Sequence, residues 1–149
     1  MRAVVQRVSW ARVLVDGRVT GAIERGLVAL VGVANNDGPA DVQYIAGKIH
    51  DMRVFDDGEG RMNLAVGDVG GAVLAVSQFT LQGDCRQGRR PSWDAAAPAP
   101  VALALYDDLV AALKGHGLRV ETGVFQARMS VELANDGPVT LLLDSRRHF

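Results

Sequence analysis

The sequence predicts a single α/β domain in which helices pack on one side of a mixed β-sheet. Two observations predict this class: β-branched and continuously apolar runs lie near both ends of the chain, and amphipathic helical patterns lie between them. A length of 149 residues fits one domain spanning residues 1–149, and no linker, repeat or low-complexity tract interrupts it. The order of the strands does not follow from these patterns.

The first half of the chain contains strands followed by a helix. Residues 1–26 are rich in valine and are divided by Asp16-Gly17, a strong hairpin signal, so they predict paired strands. Leu27 to Ala34 is short and continuously apolar, which predicts a central strand buried on both faces. From Pro39, apolar residues recur every three or four positions, and this spacing predicts an amphipathic helix over residues 39–52.

The second half contains the remaining strands and one more helix. The turn-rich stretch FDDGEGRMNL predicts a loop, and an apolar strand follows it over Val73 to Phe79. Leucines at four-residue spacing mark a helix that begins after APAP and ends at the breakers Gly115 and Gly117. Three further strands complete the prediction: Leu118 to Thr122, Met129 to Leu133 and Val139 to Leu143.

Composition and charge are typical of an ordinary globular protein. Hydrophobic residues make up 48% of the chain and charged residues 22%, with a formal net charge of -1, so the total charge does not indicate a nucleic-acid partner. The longest apolar stretch, Gly26 to Ala34, is about half of the roughly 20 residues that a membrane span needs, and the N-terminus has no signal-peptide core. We therefore expect a cytoplasmic protein with no membrane partner.

Metal and cofactor sites are not expected. Cys85 is the only cysteine, which excludes an intrachain disulfide or a thiolate cluster, and the three histidines have no HxH or HExxH spacing. As a nucleophile, Cys85 would need an activating base that the sequence does not identify, and an incidental cysteine is the simpler interpretation. His50, near the end of the first predicted helix, fits a favourable partner of the helix dipole.

A Gly-Pro pair, Gly137-Pro138, stands directly before the last predicted strand. Because proline cannot donate a ladder hydrogen bond, it is confined to strand starts, edges and bulges, so we expect this pair in a turn or rim just ahead of Val139 to Leu143. The cis form occurs at only about 5% of X-Pro bonds in folded proteins, so the trans form is the default.

Two other segments carry candidate functional side chains. Ser77, Gln78, Phe79 and Thr80 lie at the end of a predicted buried strand, where α/β folds place their sites, although hydrogen bonding of exposed backbone is the commoner explanation of such a cluster. The segment CRQGRRPSW offers guanidiniums that can clamp phosphates and a tryptophan on which a base can stack. A solvated basic loop is its alternative interpretation. The candidate phosphate ligands in this segment are Arg86, Arg89 and Arg90.

The chain resembles the D-aminoacyl-tRNA deacylase family over essentially its whole length. The resemblance is carried by MRAVVQRVS, GLVALVGVA, MNL, DVGGAVLAVSQFTL, DCRQGRRPS, AAAP, ETGVF and NDGPVTLLLDS, and the combination of SQFT with NDGPVT is highly specific. The segment LQGDC departs from the pattern at Gln82 and Gly83, where many relatives carry an aromatic residue or alanine. The tail Arg146 to Phe149 has no role that the resemblance transfers.

The resemblance implies a homodimer with a layered β/β/α sandwich and an active site at the dimer interface. It implies that Gly137-Pro138 forms a cis peptide and reaches into the pocket of the other subunit, beside the SQFT strand. It also places Phe125 and Met129 in the lining around the terminal adenosine of the substrate. The implied partners are D-aminoacyl-tRNA and a second copy of the chain, and no cofactor is implied.

Chirality can be selected by exclusion at such a site. A rigid Gly-Pro main chain facing the α-carbon leaves room for a D side chain that points outward and clashes with an L side chain. Glycine has no side chain to exclude, so glycyl-tRNA is an expected substrate as well. A serine- or threonine-dependent hydrolase of small esters and a noncatalytic RNA-binding module remain alternative functions.

Ester hydrolysis needs an oxyanion stabiliser and an activated water. The backbone N–H groups of Phe79 and Thr80 suit the first role, but no general base is evident. A Thr80 nucleophile would need an activating neighbour, so we favour activation by the 2'-hydroxyl of the substrate, with Ser77 and Gln78 positioning the terminal nucleotide.

Overall fold

The computed structural model describes all residues from Met1 to Phe149. Its main element is a six-stranded mixed sheet in the order β2-β1-β3-β6-β7, with β8 pairing β1 as well. Strand β1 is antiparallel to β2, β3 and β8, whereas β3, β6 and β7 are parallel. The elements in chain order are β1 (Arg2–Val15), β2 (Arg18–Ile23), β3 (Gly26–Gly32), α1 (Pro39–Asp51), β4 (Phe55–Asp56), β5 (Met62–Leu64), β6 (Ala72–Ser77), a 3₁₀ helix (Phe79–Gln82), α2 (Ala99–Gly115), β7 (Arg119–Thr122) and β8 (Met129–Asp144).

Two apolar cores lie on opposite faces of the central strands. Along β3, Leu27, Ala29 and Val31 face the core that contains both helices, whereas Val28 faces a second core. This alternation follows from the two-residue period of a strand, and it explains why β3 is apolar without interruption. The second core is formed by β1, β2, β6 and β8, so the sheet folds over on itself.

The folded sheet is nearly closed, because β2 approaches the far strand β7. A side chain at Gly21 of β2 would overlap the backbone of Thr122 in β7, so only glycine permits this approach. The mixed sheet and the single α/β fold are confirmed. The sheet is nearly barrel-like, and its two facing parts and the helices on one side form the layers of the fold.

Most predicted elements are present, and three need correction. The loop FDDGEGRMNL contains the small β4–β5 hairpin, because Asp56 and Met62 pair across it. The strand predicted to reach Phe79 ends at Ser77, where the chain turns into the 3₁₀ helix. The last two predicted strands are one long strand, β8, whose two halves both pair with β1. No helix is long and apolar enough to cross a membrane.

Candidate active site

A cavity of about 510 Å³ opens at the carboxyl ends of β3 and β6. Its walls come from these strands, the start of α2, and the segment that leads into β8. Most of the lining is apolar, and the polar side chains in it are Ser77, Gln78 and Gln126. An apolar cavity with a few convergent polar groups is the usual form of a small-molecule site.

The turn that follows β6 forms one wall of the cavity and is firmly anchored. The backbone N–H of Gln78 donates to the Val31 carbonyl at 2.7 Å, which continues the pairing of β6 with β3. The buried amide of Gln82 donates to the Gly32 carbonyl at 2.7 Å. A side chain at Gly32 would lie 2.8 Å from the Gln78 carbonyl oxygen, so the glycine permits the close approach. Gln82, one of the two departures from the family pattern, is therefore a structural anchor.

Two adjacent backbone amides are available at the start of this turn. Phe79 and Thr80 are the first two residues of the 3₁₀ helix, and the first intrahelical bond is donated by Leu81 to the Gln78 carbonyl at 3.2 Å. The N–H groups of the first residues of a helix have no intrahelical acceptor. The geometry therefore offers the pair of donors that an oxyanion hole needs.

No side chain in the cavity can act as a general base. None of its lining residues has a titratable side chain. The Thr80 hydroxyl accepts a hydrogen bond from the Gln78 side-chain amide, and an amide N–H cannot take up a proton. Thr80 thus has a positioned hydroxyl without the activating partner that a nucleophile requires.

Phe125 and Met129 both line the cavity. Their wall is held to β6 through the Ala75 carbonyl, which accepts from the buried Tyr106 hydroxyl at 2.8 Å and from the Gly123 N–H at 3.2 Å. Burial raises the pKa of the Tyr106 phenol well above its usual value, so this donor stays protonated. The Met129 sulfur packs over Gly123, where any side chain would collide with it.

The Gly137-Pro138 pair does not line the cavity of its own chain. It forms a bulge in β8. Gln6 and Val8 of β1 are two positions apart, whereas their partners on β8, Thr140 and Asn135, are five positions apart. The extra residues of β8 protrude, and both members of the pair are exposed. The sequence predicted a turn or rim ahead of a separate strand, whereas the structure places the pair in a bulge within one continuous strand.

The Gly137-Pro138 peptide is trans, which corrects the implied cis bond. The chain contains no cis peptide, and the backbone passes through the bulge at Gly137 with a φ of +103°. Glycine adopts such positive φ values without the steric penalty of a side chain.

Arg7 supports the bulge from below, and sequence reasoning did not identify it. The buried guanidinium donates to the carbonyls of Asp136, at 3.2 Å, and Val54, at 2.6 Å, and it also pairs with the Asp136 carboxylate. A side chain at Gly137 would collide with it. The available signal was a charged residue at an inward position of an alternating strand, since Ala3 and Val5 face the same side of β1.

Asn135 closes the base of the bulge. Its side-chain amide donates to the Arg7 carbonyl at 2.9 Å and to the Val139 carbonyl at 3.1 Å. Thr140, at the far end of the bulge, accepts from the Gln6 side chain at 3.1 Å. The NDGPVT motif thus carries the hydrogen bonds that hold its own glycine and proline in place.

The candidate arginines lie in an exposed loop beyond the cavity. Arg86 is held by the Asp84 carboxylate at 2.6 Å, and this hydrogen-bonded pair raises the pKa of Arg86 and lowers that of Asp84. Arg89 and Arg90 are exposed and form no ion pair. Cys85 is exposed and lines no part of the cavity.

The fold is a single α/β domain whose mixed sheet places an apolar cavity beside a turn with two free backbone donors. The sequence matches the family model described as D-Tyr-tRNA(Tyr) deacylase over residues 4–144, and the chain belongs to this family. It is 62% identical over 149 residues to the D-aminoacyl-tRNA deacylase of Anaeromyxobacter dehalogenans (strain 2CP-C) and 60% identical to that of Koribacter versatilis (strain Ellin345), with 100% of both chains covered in each case. The resemblance found in the sequence is confirmed.

Solved structures share the fold. The c-Myc DNA Unwinding Element Binding Protein superimposes with a TM-score of 0.91 at 37% identity, covering 97% of this chain and 98% of its own. A probable eukaryotic D-amino acid tRNA deacylase superimposes with a TM-score of 0.80 at 18% identity, covering 95% and 97%. At that lower identity the likeness concerns the fold alone.

Proposed function

We propose that this chain hydrolyses the ester that joins a D-amino acid to the terminal ribose of tRNA, and that it acts on glycyl-tRNA as well. Family membership and the names of its relatives support the reaction. The observation that carries the proposal is the cavity beside the 3₁₀ turn, where the two free amides of Phe79 and Thr80 meet a lining without titratable groups.

The site acts mainly by placing donors where negative charge develops. When water attacks the ester, the carbonyl oxygen becomes an oxyanion, and the amides of Phe79 and Thr80 stabilise it. Because the cavity contains no base, the neighbouring 2'-hydroxyl of the ribose helps to activate the attack. Ser77 and Gln78 position the terminal nucleotide, and Phe125 and Met129 form the apolar wall for its adenine.

The active site is completed by a second copy of the chain. Gly137 and Pro138 are exposed and lie outside the cavity of their own protomer, so they are free to enter the cavity of a neighbour. The same strand carries Leu142, which is 62% exposed in a regular part of β8, as expected of a side chain that a partner covers. A homodimer in which each bulge enters the other cavity satisfies both observations.

The bulge then discriminates between the D and L enantiomers of the amino acid. The Arg7 guanidinium and the Asn135 amide fix its backbone, so it acts as a rigid wall rather than a flexible loop. An L side chain directed at this wall clashes, whereas a D side chain points outward. Rejecting L substrates a thousandfold requires about 4 kcal/mol, which a rigid clash can supply.

Deacylation of matched substrates tests this function. Purified protein is incubated with D-Tyr-tRNA, L-Tyr-tRNA and Gly-tRNA at several salt concentrations, and with the ethyl ester of D-tyrosine. Hydrolysis of the D-Tyr and Gly substrates but not of the L-Tyr substrate is expected. Cleavage of the ethyl ester at a comparable rate indicates a small-ester hydrolase, and salt-dependent tRNA binding without cleavage indicates an RNA-binding module.

A further inference from the structure

An aromatic and basic surface adjoins the mouth of the cavity, and the proposed chemistry uses only the backbone N–H of Phe79 within it. This rim surface consists of the side chains of Phe79 and Trp93 together with the loop that carries Arg89 and Arg90. The rings of Phe79 and Trp93 meet edge to face, with centroids 5.4 Å apart. Phe79 lines the cavity, so the rim surface is continuous with it. Both rings are exposed, at 55% for Phe79 and 41% for Trp93, which gives the rim two large aromatic side chains in contact with solvent.

Trp93 is held in place from below. A side chain at Gly83 would lie 2.5 Å from the indole ring, so the ring rests directly on this glycine. The Trp93 carbonyl accepts from the Ala96 N–H at 2.9 Å, which fixes the backbone beside the cavity wall. The indole N–H has no acceptor within the chain. A fixed, exposed ring with a free donor is suited to stacking against a base.

The arginines belong to a closed loop that adjoins the rim. Asp84 and Ser92 exchange backbone hydrogen bonds of 2.8 and 2.9 Å, so the loop begins and ends next to Trp93. The charge of Arg86 is balanced by Asp84. Arg89 and Arg90 make no ion pair, and Asp94 is the other exposed carboxylate of this segment, so one positive charge remains in excess.

We propose that the rim surface binds the single-stranded nucleotides that precede the terminal adenosine of tRNA. A base stacks on Trp93, and Arg89 and Arg90 contact the adjacent phosphates. This inference rests on the proposed function, because it takes the cavity as the site of the terminal adenosine. Stacking and phosphate contacts require no particular base, so one surface serves the 3' ends of different tRNAs.

Trp93 fluorescence tests this binding without catalysis. In a Trp10→Phe background, Trp93 is the only tryptophan. Uncharged CCA trinucleotide is expected to quench its emission and to bind on the order of tenfold more tightly than adenosine monophosphate. Equal affinity for the two ligands, or binding of CCA without quenching, overturns the proposal. The outcome does not depend on whether the protein cleaves D-Tyr-tRNA.

Kinetics separate the rim surface from the cavity. Trp93→Ala is expected to raise KM for D-Tyr-tRNA on the order of tenfold, with kcat retained, and to leave hydrolysis of D-tyrosyl-adenosine unchanged. Trp93→Phe keeps an aromatic face, so its KM for D-Tyr-tRNA is expected to stay close to the wild-type value. A loss of the same size on both substrates shows a structural role and contradicts the proposal. Wild-type protein inactive on both substrates contradicts the proposed function instead.

The salt dependence of KM tests the arginines. Arg89→Gln combined with Arg90→Gln is expected to make the slope of log affinity for D-Tyr-tRNA against log salt shallower, by about 0.7 for each lost phosphate contact. Arg61→Gln, at an exposed arginine of the β4–β5 hairpin, is the matched control and leaves the slope unchanged. An equal change in both variants refutes a local contact.

Discussion

At the scale of single residues, Thr80 separates two ways of cleaving an ester. Its hydroxyl accepts from the Gln78 amide and has no base beside it, whereas its backbone N–H is free at the start of the 3₁₀ helix. Thr80→Ala removes only the hydroxyl, so we expect single-turnover hydrolysis of D-Tyr-tRNA to remain within about tenfold of wild type. Thr80→Ser is the control. A loss of several orders of magnitude in Thr80→Ala, with a covalent D-tyrosyl intermediate trapped on the wild-type enzyme, would establish Thr80 as the nucleophile.

At the scale of elements, the bulge of β8 depends on Gly137, a position that accommodates only glycine. Gly137 combines a φ of +103° with contact against the Arg7 guanidinium, so Gly137→Ala introduces both backbone strain and a clash. We expect a loss of about 1–3 kcal/mol in the free energy of unfolding and a fall in D-Tyr-tRNA hydrolysis. Urea denaturation and a deacylation assay measure the two effects.

The control for this change is a substitution at another glycine, within α1. Gly47 lies inside α1 with open space where a Cβ would be added, so Gly47→Ala is expected to stabilise the protein by about 0.5–1 kcal/mol. Equal unfolding free energies for Gly137→Ala and wild type would show that the bulge tolerates a side chain, and that its backbone is not the rigid wall proposed.

The same bulge marks the limit of what the sequence predicts. Periodicity located both helices, because one buried face repeats along each of them, and an unbroken apolar run located β3, which is buried on both faces. The end of the buried strand β6 drew attention to Ser77, Gln78 and Phe79, and all three line the cavity. The sequence pattern divided β8 into two strands, since Gly137-Pro138 has the signature of a turn. The hydrogen bonds that turn it into a bulge come from Arg7, about 130 positions away in the chain, and local patterns carry no information about such a contact.

At the scale of the whole molecule, the carboxylate of Asp144, which binds groups near both ends of the chain, makes the stability of the fold depend on pH. Burial raises the pKa of Asp144, but hydrogen bonds from the Arg146 N–H, His148 and Arg2 outweigh it and leave that pKa below its usual value of 3.8. A carboxyl group of depressed pKa contributes stability that is present above its unfolded pKa and is lost as the pH falls through the folded pKa. We therefore expect Tm to fall steeply below pH 4.

Asp144→Asn isolates this contribution. The variant should melt below wild type at pH 7, and the difference should shrink as the pH falls through the range in which Asp144 takes up a proton. Asp108→Asn, on the exposed side of α2, is the control. If the difference in Tm between wild type and Asp144→Asn stays constant down to pH 3, the effect comes from the packing of the side chain rather than from its charge.

The largest-scale prediction concerns where the two halves of the site come from. Ala127→Trp fills the cavity, and Gly137→Val disrupts the bulge, so each variant alone is expected to be inactive. In a mixed dimer, the intact bulge of the first variant meets the intact cavity of the second, which restores one of two sites. With random exchange, half of the dimers are mixed, so a refolded equimolar mixture should recover about one quarter of wild-type activity. If each site were formed within one chain, every cavity or every bulge would be defective, and the mixture would stay inactive.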